Sequence, residues 1–315
     1  MFALAKQLRD HGVLGLNRRN AEYTLWHNPR HYYPLVDDKL ATKRLAEKAG
    51  IAVPKLYGVV EFERQIRELP QLLAPYQDFV IKPAQGSGGD GIVVIAGRRK
   101  DRYRKVNSQL IGQDELDHHV SNILSGLYSL GGHPDKALIE YRVQFDPIFE
   151  PISFQGVPDI RIIVFLGVPV MAMVRLPTKM SDGKANLHQG AIGAGIDLAT
   201  GRTLKGVWKN EIVTEHPDTE NPIHGVQIPR WDTLVNVAAR SYELTGLGYQ
   251  GVDMVLDREL GPMVLELNAR PGLNIQIANQ AGLLPRLQRV ESARSKLNSL
   301  EERLAFAKSQ FGVIH

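Results

Sequence analysis

The sequence predicts an α+β protein, because strand hairpins interleave with helices and no run of βαβ units appears. Three stretches carry this reading. Residues 79–83 and 92–96 flank a glycine-rich loop, residues 160–166 and 168–176 meet at Gly167, and residues 251–256 and 263–268 are turned at 259–262. Each is a pair of apolar runs of strand length split by turn residues.

Taken in order, residues 1–36 combine a short helical start with a polar, aromatic stretch (Tyr23, Trp26, His27, His31, Tyr32, Tyr33). Asp37 and Asp38 open a helix that runs to Ala49. The acids suit its first turn, Gly50 lies past its end and Pro54 follows. Residues 53–60 read as strand and 61–74 as helix. The strand 79–83 closes on Lys82-Pro83. Residues 97–112 read as a charged loop, 113–130 as a helix and 137–143 as a strand leading into a proline-bearing connector. Residues 177–190 form a polar loop, 191–228 short β pieces, and 231–244 a helix.

From Leu284 on, Val290, Ala293, Leu297, Leu300, Leu304, Ala307 and Phe311 follow a 3-4 spacing. That spacing predicts one continuous helix over 284–311 with an apolar seam. Exposing such leucines is unfavourable by about 1.5–3 kcal/mol each. The seam is therefore expected against the body of the protein or against a second copy, as in a homo-oligomer. The chain divides on this reading into a segment 1–36, a first lobe 37–143, a second lobe 144–283 and a C-terminal helix 284–315.

Composition bounds the function. A chain of 315 residues, 43% of them hydrophobic, can build a sizeable core. There are no cysteines, which excludes disulfides, thiolate catalysis and cysteine-ligated metal. No apolar run approaches the roughly 18 residues of a membrane helix. No signal peptide is read at the N-terminus, where Lys6 interrupts a short apolar start, so a cytoplasmic protein is expected. The charge of +4 comes from 38 Lys and Arg against 34 acids, without a basic stripe interleaved with aromatics. Neither a nucleic-acid nor a membrane partner is expected.

Two constellations carry chemistry. In the first, Lys82 ends a strand and the loop Gln85, Gly86, Ser87, Gly88, Gly89, Asp90, Gly91 follows. Glycines let backbone N–H groups approach phosphate oxygens, and a lysine on the adjoining strand adds a fixed positive charge. No helix follows, so this is neither a Walker loop nor a dinucleotide fingerprint. In the second, Asp253 lies inside an apolar strand, while Glu266 and Asn268 stand two apart on its partner and so share a face. Three oxygen donors on neighbouring strands suit Mg²⁺, which keeps nucleotide phosphates and waters as its other ligands. Solvent-facing acids on a half-exposed sheet are the plainer reading of the same pattern.

The order along the chain adds to both. Lys39 and Lys82 precede the glycine-rich loop. Glu140-Tyr141, Asp159-Ile160-Arg161, Arg175 and Asn186-Leu187-His188-Gln189-Gly190 follow. Asp253 and Glu266-Leu267-Asn268-Ala269-Arg270-Pro271-Gly272 come last. Over residues 37–280 this order resembles the ATP-grasp superfamily, and within it the α-L-glutamate ligase-like proteins related to ribosomal-protein glutamate ligases. The resemblance implies an ATP-grasp fold of two α+β lobes and a cytoplasmic ATP- and Mg²⁺-dependent carboxylate–amine ligase. Such a ligase forms an amide through an acyl phosphate, with an amino acid or peptide as acceptor. Two Mg²⁺ ions are implied, with Mn²⁺ as an alternative ion.

Residue by residue, Lys39 and Lys82 resemble the two nucleotide-binding lysines, and residues 85–91 the loop that closes over the phosphates. Glu140, Tyr141, Arg142 and Val143 resemble the hinge that reads adenine. Asp159 resembles the ribose contact, with Glu150 as the alternative. Arg175 and Asn186 resemble triphosphate contacts. His188 is placed to orient substrate, and Arg270 to stabilise the acyl phosphate or bind the carboxylate. Asp253, Glu266 and Asn268 resemble the metal ligands. The physical logic agrees, since an anionic carboxylate meets an anionic γ-phosphate only under cationic screening. The pattern departs from the family in three places. Only 38 residues precede Lys39, fewer than the usual N-terminal lobe. The segment 144–158 is long, and Arg270 replaces a small residue. A kinase on the same scaffold and a catalytically silent nucleotide-binding partner protein are the other readings.

Overall fold

The computed structural model describes residues 2–312 apart from Ser87 and Leu130, with side chains from residue 6 onward. The chain forms two compact units. The first comprises residues 1–37, 45–52 and 145–315, and the second residues 38–44 and 53–144.

The second unit is a six-stranded antiparallel sheet in the order β1-β6-β2-β3-β4-β5. Its strands are β1 (Leu56–Val60), β2 (Phe79–Pro83), β3 (Val93–Arg99), β4 (Arg102–Lys105), β5 (Leu110–Ile111) and β6 (Ala137–Glu140). Strand alternation divides β2 cleanly. Phe79 and Ile81 join Ile139, Ile95, Leu116, Val120 and Ile123 in a core under the helix Gln113–Leu124. Val80 and Lys82 therefore face the other way, together with Leu138 and Glu140, their register partners on β6. On that side Leu138 and Ala84 pack with Leu40, from the first turn of the helix Lys39–Lys48.

The first unit is a seven-stranded antiparallel sheet in the order β11-β10-β9-β8-β7-β12-β13. These are β7 (Asp159–Phe165), β8 (Val168–Leu176), β9 (Ile192–Ile196), β10 (Thr203–Trp208), β11 (Glu211–Val213), β12 (Tyr249–Asp257) and β13 (Gly261–Asn268). The helix Trp231–Thr245 packs on β7, β8 and β12. The N-terminal segment belongs to this unit. Its helical run Leu16–Arg18, Arg19–Thr24 and Leu25–His27 has a π-helical middle. Asn28 pins the run down. Its Nδ2 donates to the carbonyls of Tyr249 (2.6 Å) and Ala269 (2.9 Å), and its Oδ1 accepts from Tyr249 N (2.8 Å).

Two expectations are corrected. Residues 97–112 are not a loop: β4 and β5 extend the sheet, with only Tyr103 and Ile111 of their side chains buried. The basic, largely exposed side chains of β4 resemble a solvated loop, which hid the strand from a pattern reading. The C-terminal stretch is not one helix but two, Leu284–Ala293 and Leu300–Phe311, joined by a short 3₁₀ turn, Arg294–Lys296. The second restarts on a capping box in which Ser299 Oγ accepts from Glu302 N and Glu302 returns to Ser299 N. Val290, Ala307 and Phe311 are buried, while Leu297, Leu300 and Leu304 are half-buried. The 3-4 spacing runs through the break unchanged.

Candidate functional site

In the second unit a short ionic chain lies beneath the glycine-rich loop. Glu140 closes β6 and is 3% exposed. Its Oε1 is 2.5 Å from Lys82 Nζ and its Oε2 is 3.0 Å from Lys43 Nζ. Burial would raise the Glu140 carboxyl, but the ammonium groups of Lys82 and Lys43 outweigh it and hold it below its ordinary value. Two lysines against one glutamate leave a surplus of positive charge. Lys43 had no role in the sequence reading. Its signal was available, because it stands four residues after Lys39 and so shares that helix face.

Lys39 Nζ donates to the carbonyl of Gly86 at the start of the loop. Gln85 N donates to Asp135 Oδ2 at 2.9 Å. Gly88, Gly89 and Gly91 all take left-handed φ values, 67°, 83° and 74°. Gly91 O is 2.9 Å from His119 Nε2. Ser87 lies outside the described residues. Glu140, expected at the adenine hinge, holds Lys82 and Lys43. Tyr141 N donates to Lys55 O at 2.8 Å, Arg142 pairs with Asp78 at 3.2 Å and Val143 is buried.

In the first unit, strand alternation and register bring a row of charged residues onto one face. Asp159 and Arg161 stand two apart on β7; Arg175 on β8 is opposite Asp159. Asp253 on β12 is opposite both Arg161 and, on β13, Glu266. Asn268 lies two further along. Arg161 donates side-on to Asp253 through Nε to Oδ1 (2.6 Å) and Nη2 to Oδ2 (2.5 Å). Arg175 donates side-on to Asp159 in the same way and adds a bond of 3.0 Å to Asp253 Oδ2. Asn268 Nδ2 donates to the same oxygen at 3.2 Å.

Burial pushes the two aspartates up, and the arginines pull them down, to different ends. Asp159 is raised to about 6, since Arg175 only partly offsets burial and Asp253 repels its charge. Asp253, facing two guanidiniums, is held down at about 2. Arg175 is raised, because Asp159 and Asp253 outweigh its own desolvation.

Asp159, the expected ribose contact, has each of its oxygens bonded to Arg175. Glu150 is exposed, 3.3 Å from Arg258. Asn186 Oδ1 accepts from His188 N and caps the turn Leu187–Gln189. A Cβ built at Gly193, the register partner of Arg175, would come within 2.9 Å of Leu187. The turn thus lies on the Arg175 face. His188 is exposed. Arg270 is exposed, its guanidinium 5.0 Å from the centre of the Tyr33 ring. Arg161 is the second residue to which the sequence reading gave no role.

For a divalent ion, Glu266 and Asn268 fit best. Glu266 makes no hydrogen bond or ion pair among the described residues, and the Asn268 amide oxygen is not used in its bond to Asp253. Asp253 is ionised and adjacent, but its Oδ2 already accepts from three donors. No group of three or more His, Cys, Asp or Glu side chains suited to a metal forms among the described residues. Nor is any described helix long and apolar enough to cross a membrane.

The lysine-anchored glycine-rich hairpin on one antiparallel sheet, and the Asp, Glu and Asn face on the other, define an ATP-grasp protein. Within that superfamily the chain belongs to the family described as sugar-transfer associated ATP-grasp, whose model matches residues 18–292. Among solved structures it is similar to the ATP-grasp ligase PsnB complexed with minimal precursor, at 14% identity and a TM-score of 0.48. The match covers 85% of this chain and 63% of that one. It is also similar to the D-cycloserine synthetase DcsG (14% identity, TM-score 0.47, 86% of this chain and 73% of that). The biotin carboxylase of Campylobacter jejuni is a third (15% identity, TM-score 0.49, 90% and 48%). The chain thus spans less than two thirds of the length of PsnB. No curated protein sequence matches it.

Proposed function

We propose that the chain is an ATP- and Mg²⁺-dependent carboxylate–amine ligase that forms an amide through an acyl phosphate. The observation that carries this reading is the single sheet face on which Arg161, Arg175, Asp253, Glu266 and Asn268 stand together. Membership of an ATP-grasp family supports it, as does the resemblance to the glutamate ligase-like proteins.

Attack of a carboxylate on the γ-phosphate brings two anions together, and fixed cations lower that barrier. Lys82 and Lys43 supply such charge on the second unit. On the first, Arg175 and Arg161 are locked by carboxylates into fixed positions, so little reorganisation is needed when charge develops. Glu266 and Asn268, with Asp253 beside them, would hold Mg²⁺, which on binding screens phosphate charge and acts as a Lewis acid. By the resemblance to the glutamate ligase-like proteins, the glycine-rich loop is the segment expected to close over the phosphates and shelter an acyl phosphate from water. An amino acid or peptide is the proposed acceptor, and the family's description as sugar-transfer associated is the reason to try amino sugars beside them.

The test is a matrix of carboxylic acids against amines, amino sugars included, with ATP and MgCl₂, read by ADP release and by mass spectrometry. An amide product with one ADP per bond is expected. A phosphorylated hydroxyl product would make the protein a kinase instead, and absence of turnover across the matrix would count against catalysis.

A further inference from the structure

The glycine-rich loop is held at both ends, by elements that pack on opposite faces of the six-stranded sheet. At its start Gly86 O accepts from Lys39 Nζ. Lys39 opens the helix whose Leu40 packs on the Leu138 face, the face that also carries Lys82 and Glu140. Gly86 also forms an antiparallel bridge with Ser129. At the other end of the loop the hold comes from the helix Gln113–Leu124, which covers Phe79 and Ile81. His119 on that helix brings Nε2 to 2.9 Å from Gly91 O. Tyr128, just past the helix, closes over the same glycine, since a Cβ added to Gly91 would meet its ring at 2.6 Å. The His119 and Tyr128 rings stand 5.5 Å apart, centre to centre.

The chemistry of His119 suits a fixed contact. Leu116, Val120 and Ile123 are fully buried and define the apolar face of the helix, and His119 lies half-buried on its flank. Burial, with Lys105 and His118 nearby, pushes the imidazole below its ordinary value despite the bond to Gly91, so the ring is uncharged at neutral pH. A neutral imidazole carries one N–H. Facing a carbonyl oxygen, that hydrogen stands on Nε2, and the contact is a directed donor bond to the backbone of the loop. The ligation scheme gives His119 no part.

A tether at this point has a consequence for ligands. Glycines lose much backbone entropy when a loop is ordered over phosphates. A loop already fixed at both ends has less left to lose, and the difference appears as affinity. Gly91, at a φ of 74°, stands where the loop rejoins the sheet, so fixing it sets the direction of the chain through Gly88 and Gly89.

We propose that His119, backed by Tyr128, is a positioning residue that fixes Gly91 and so orders the glycine-rich loop before a nucleotide arrives. The benefit to nucleotide binding rests on the ligase reading; the tether itself is tested without nucleotide. Amide exchange of the full chain is followed at Gly88, Gly89 and Gly91 in the wild type, in His119→Leu and in His119→Gln. Leucine keeps a bulky side chain on the helix flank but has no donor, whereas the glutamine amide reaches about as far as Nε2 and can donate. Without nucleotide, His119→Leu should speed exchange at these amides at least ~10-fold, and His119→Gln should bring it back near the wild-type rate. Exchange in β2 and β6 should be the same in all three proteins. Calorimetric titration with Mg-ADP should show affinity weakened at least ~5-fold in His119→Leu and restored in His119→Gln. Unchanged loop exchange in His119→Leu, or no restoration in His119→Gln, would overturn the tether. Lost protection in β2 and β6 as well would make His119 a residue of the core rather than of the loop, and would overturn it too. Faster loop exchange with undiminished Mg-ADP affinity removes its part in nucleotide binding and leaves the ligase reading standing. No Mg-ADP binding in the wild type removes the ligase reading instead, and the exchange rates then decide the tether alone.

Discussion

Replacing Glu140 by glutamine should destabilise the second unit far more than an ordinary surface change. The variant keeps the shape of the side chain but leaves Lys82 and Lys43 facing each other, 7% and 4% exposed, without the carboxylate between them. At 2.5 and 3.0 Å and an effective dielectric constant near 20, the two attractions are worth roughly 7 and 6 kcal/mol before desolvation is subtracted. Breaking a buried pair by removing one partner costs about 3–5 kcal/mol net. Urea unfolding of wild type and variant, with amide exchange on β2 and β6 to localise the loss, measures this. A second arm separates charge from packing: Lys43→Met, Glu140→Leu and Lys82→Met together remove every charge and should recover most of the stability. The pH dependence follows from the same ions. The folded carboxyl lies below its unfolded value near 4.3, so its contribution is fully present above that value. It is lost as the pH falls through the folded pKa, and Glu140→Gln should lack that acid loss. A penalty in Glu140→Gln under about 1 kcal/mol, or one equal to that of the triple variant, would refute the electrostatic argument.

Glu266→Gln should lower Mg²⁺-dependent ADP release at least ~100-fold while moving stability by no more than about 0.5 kcal/mol, because Glu266 is half-exposed and makes no ion pair among the described residues; unaltered turnover in a steady-state assay would remove it from the site. Gly91→Ala should destabilise the hairpin tip by about 1–3 kcal/mol, since φ is 74° and the new Cβ would meet Tyr128 at 2.6 Å; thermal unfolding checks this. The amides of Gly88, Gly89 and Gly91 should gain hydrogen-exchange protection on addition of a non-hydrolysable ATP analogue, and equal exchange in both states would argue against closure over phosphates. Ser299→Ala should cost about 1 kcal/mol by loss of the cap, with the amides of Leu300–Phe311 exchanging faster.

Much of the architecture was legible because its signals are local. The hairpins of β2 with β3, β7 with β8 and β12 with β13 each announce themselves as two apolar runs around a turn. Elements whose signals are weak or shared were misread. Arg102–Lys105 is a strand by hydrogen bonding to its neighbours, while its side chains resemble a solvated loop. The C-terminal seam persisted across a real break because heptad-like spacing responds only to apolar positions. The Ser299 and Glu302 pair that restarts the helix is a polar signal, and it stood in the sequence unweighed.

The sequence alone determined which residues could be charged, which of them share a strand face, and where glycines permit a left-handed turn. Period-two alternation puts Asp159 with Arg161, and Glu266 with Asn268, on common faces without reference to anything distant. Pairing is another matter. Asp253 meets Arg161 across 92 residues of chain, and Arg19 meets Pro271 across 252. Glu140 becomes the partner of Lys43 only because the helix Lys39–Lys48 crosses the β2–β6 face. Which cation neutralises which acid depends on strand order and register, which follow from burial of the whole core. For that reason tertiary structure decided that Asp159 and Glu140 lock cations in place, and that Arg19 stands buried with no ion pair among the described residues.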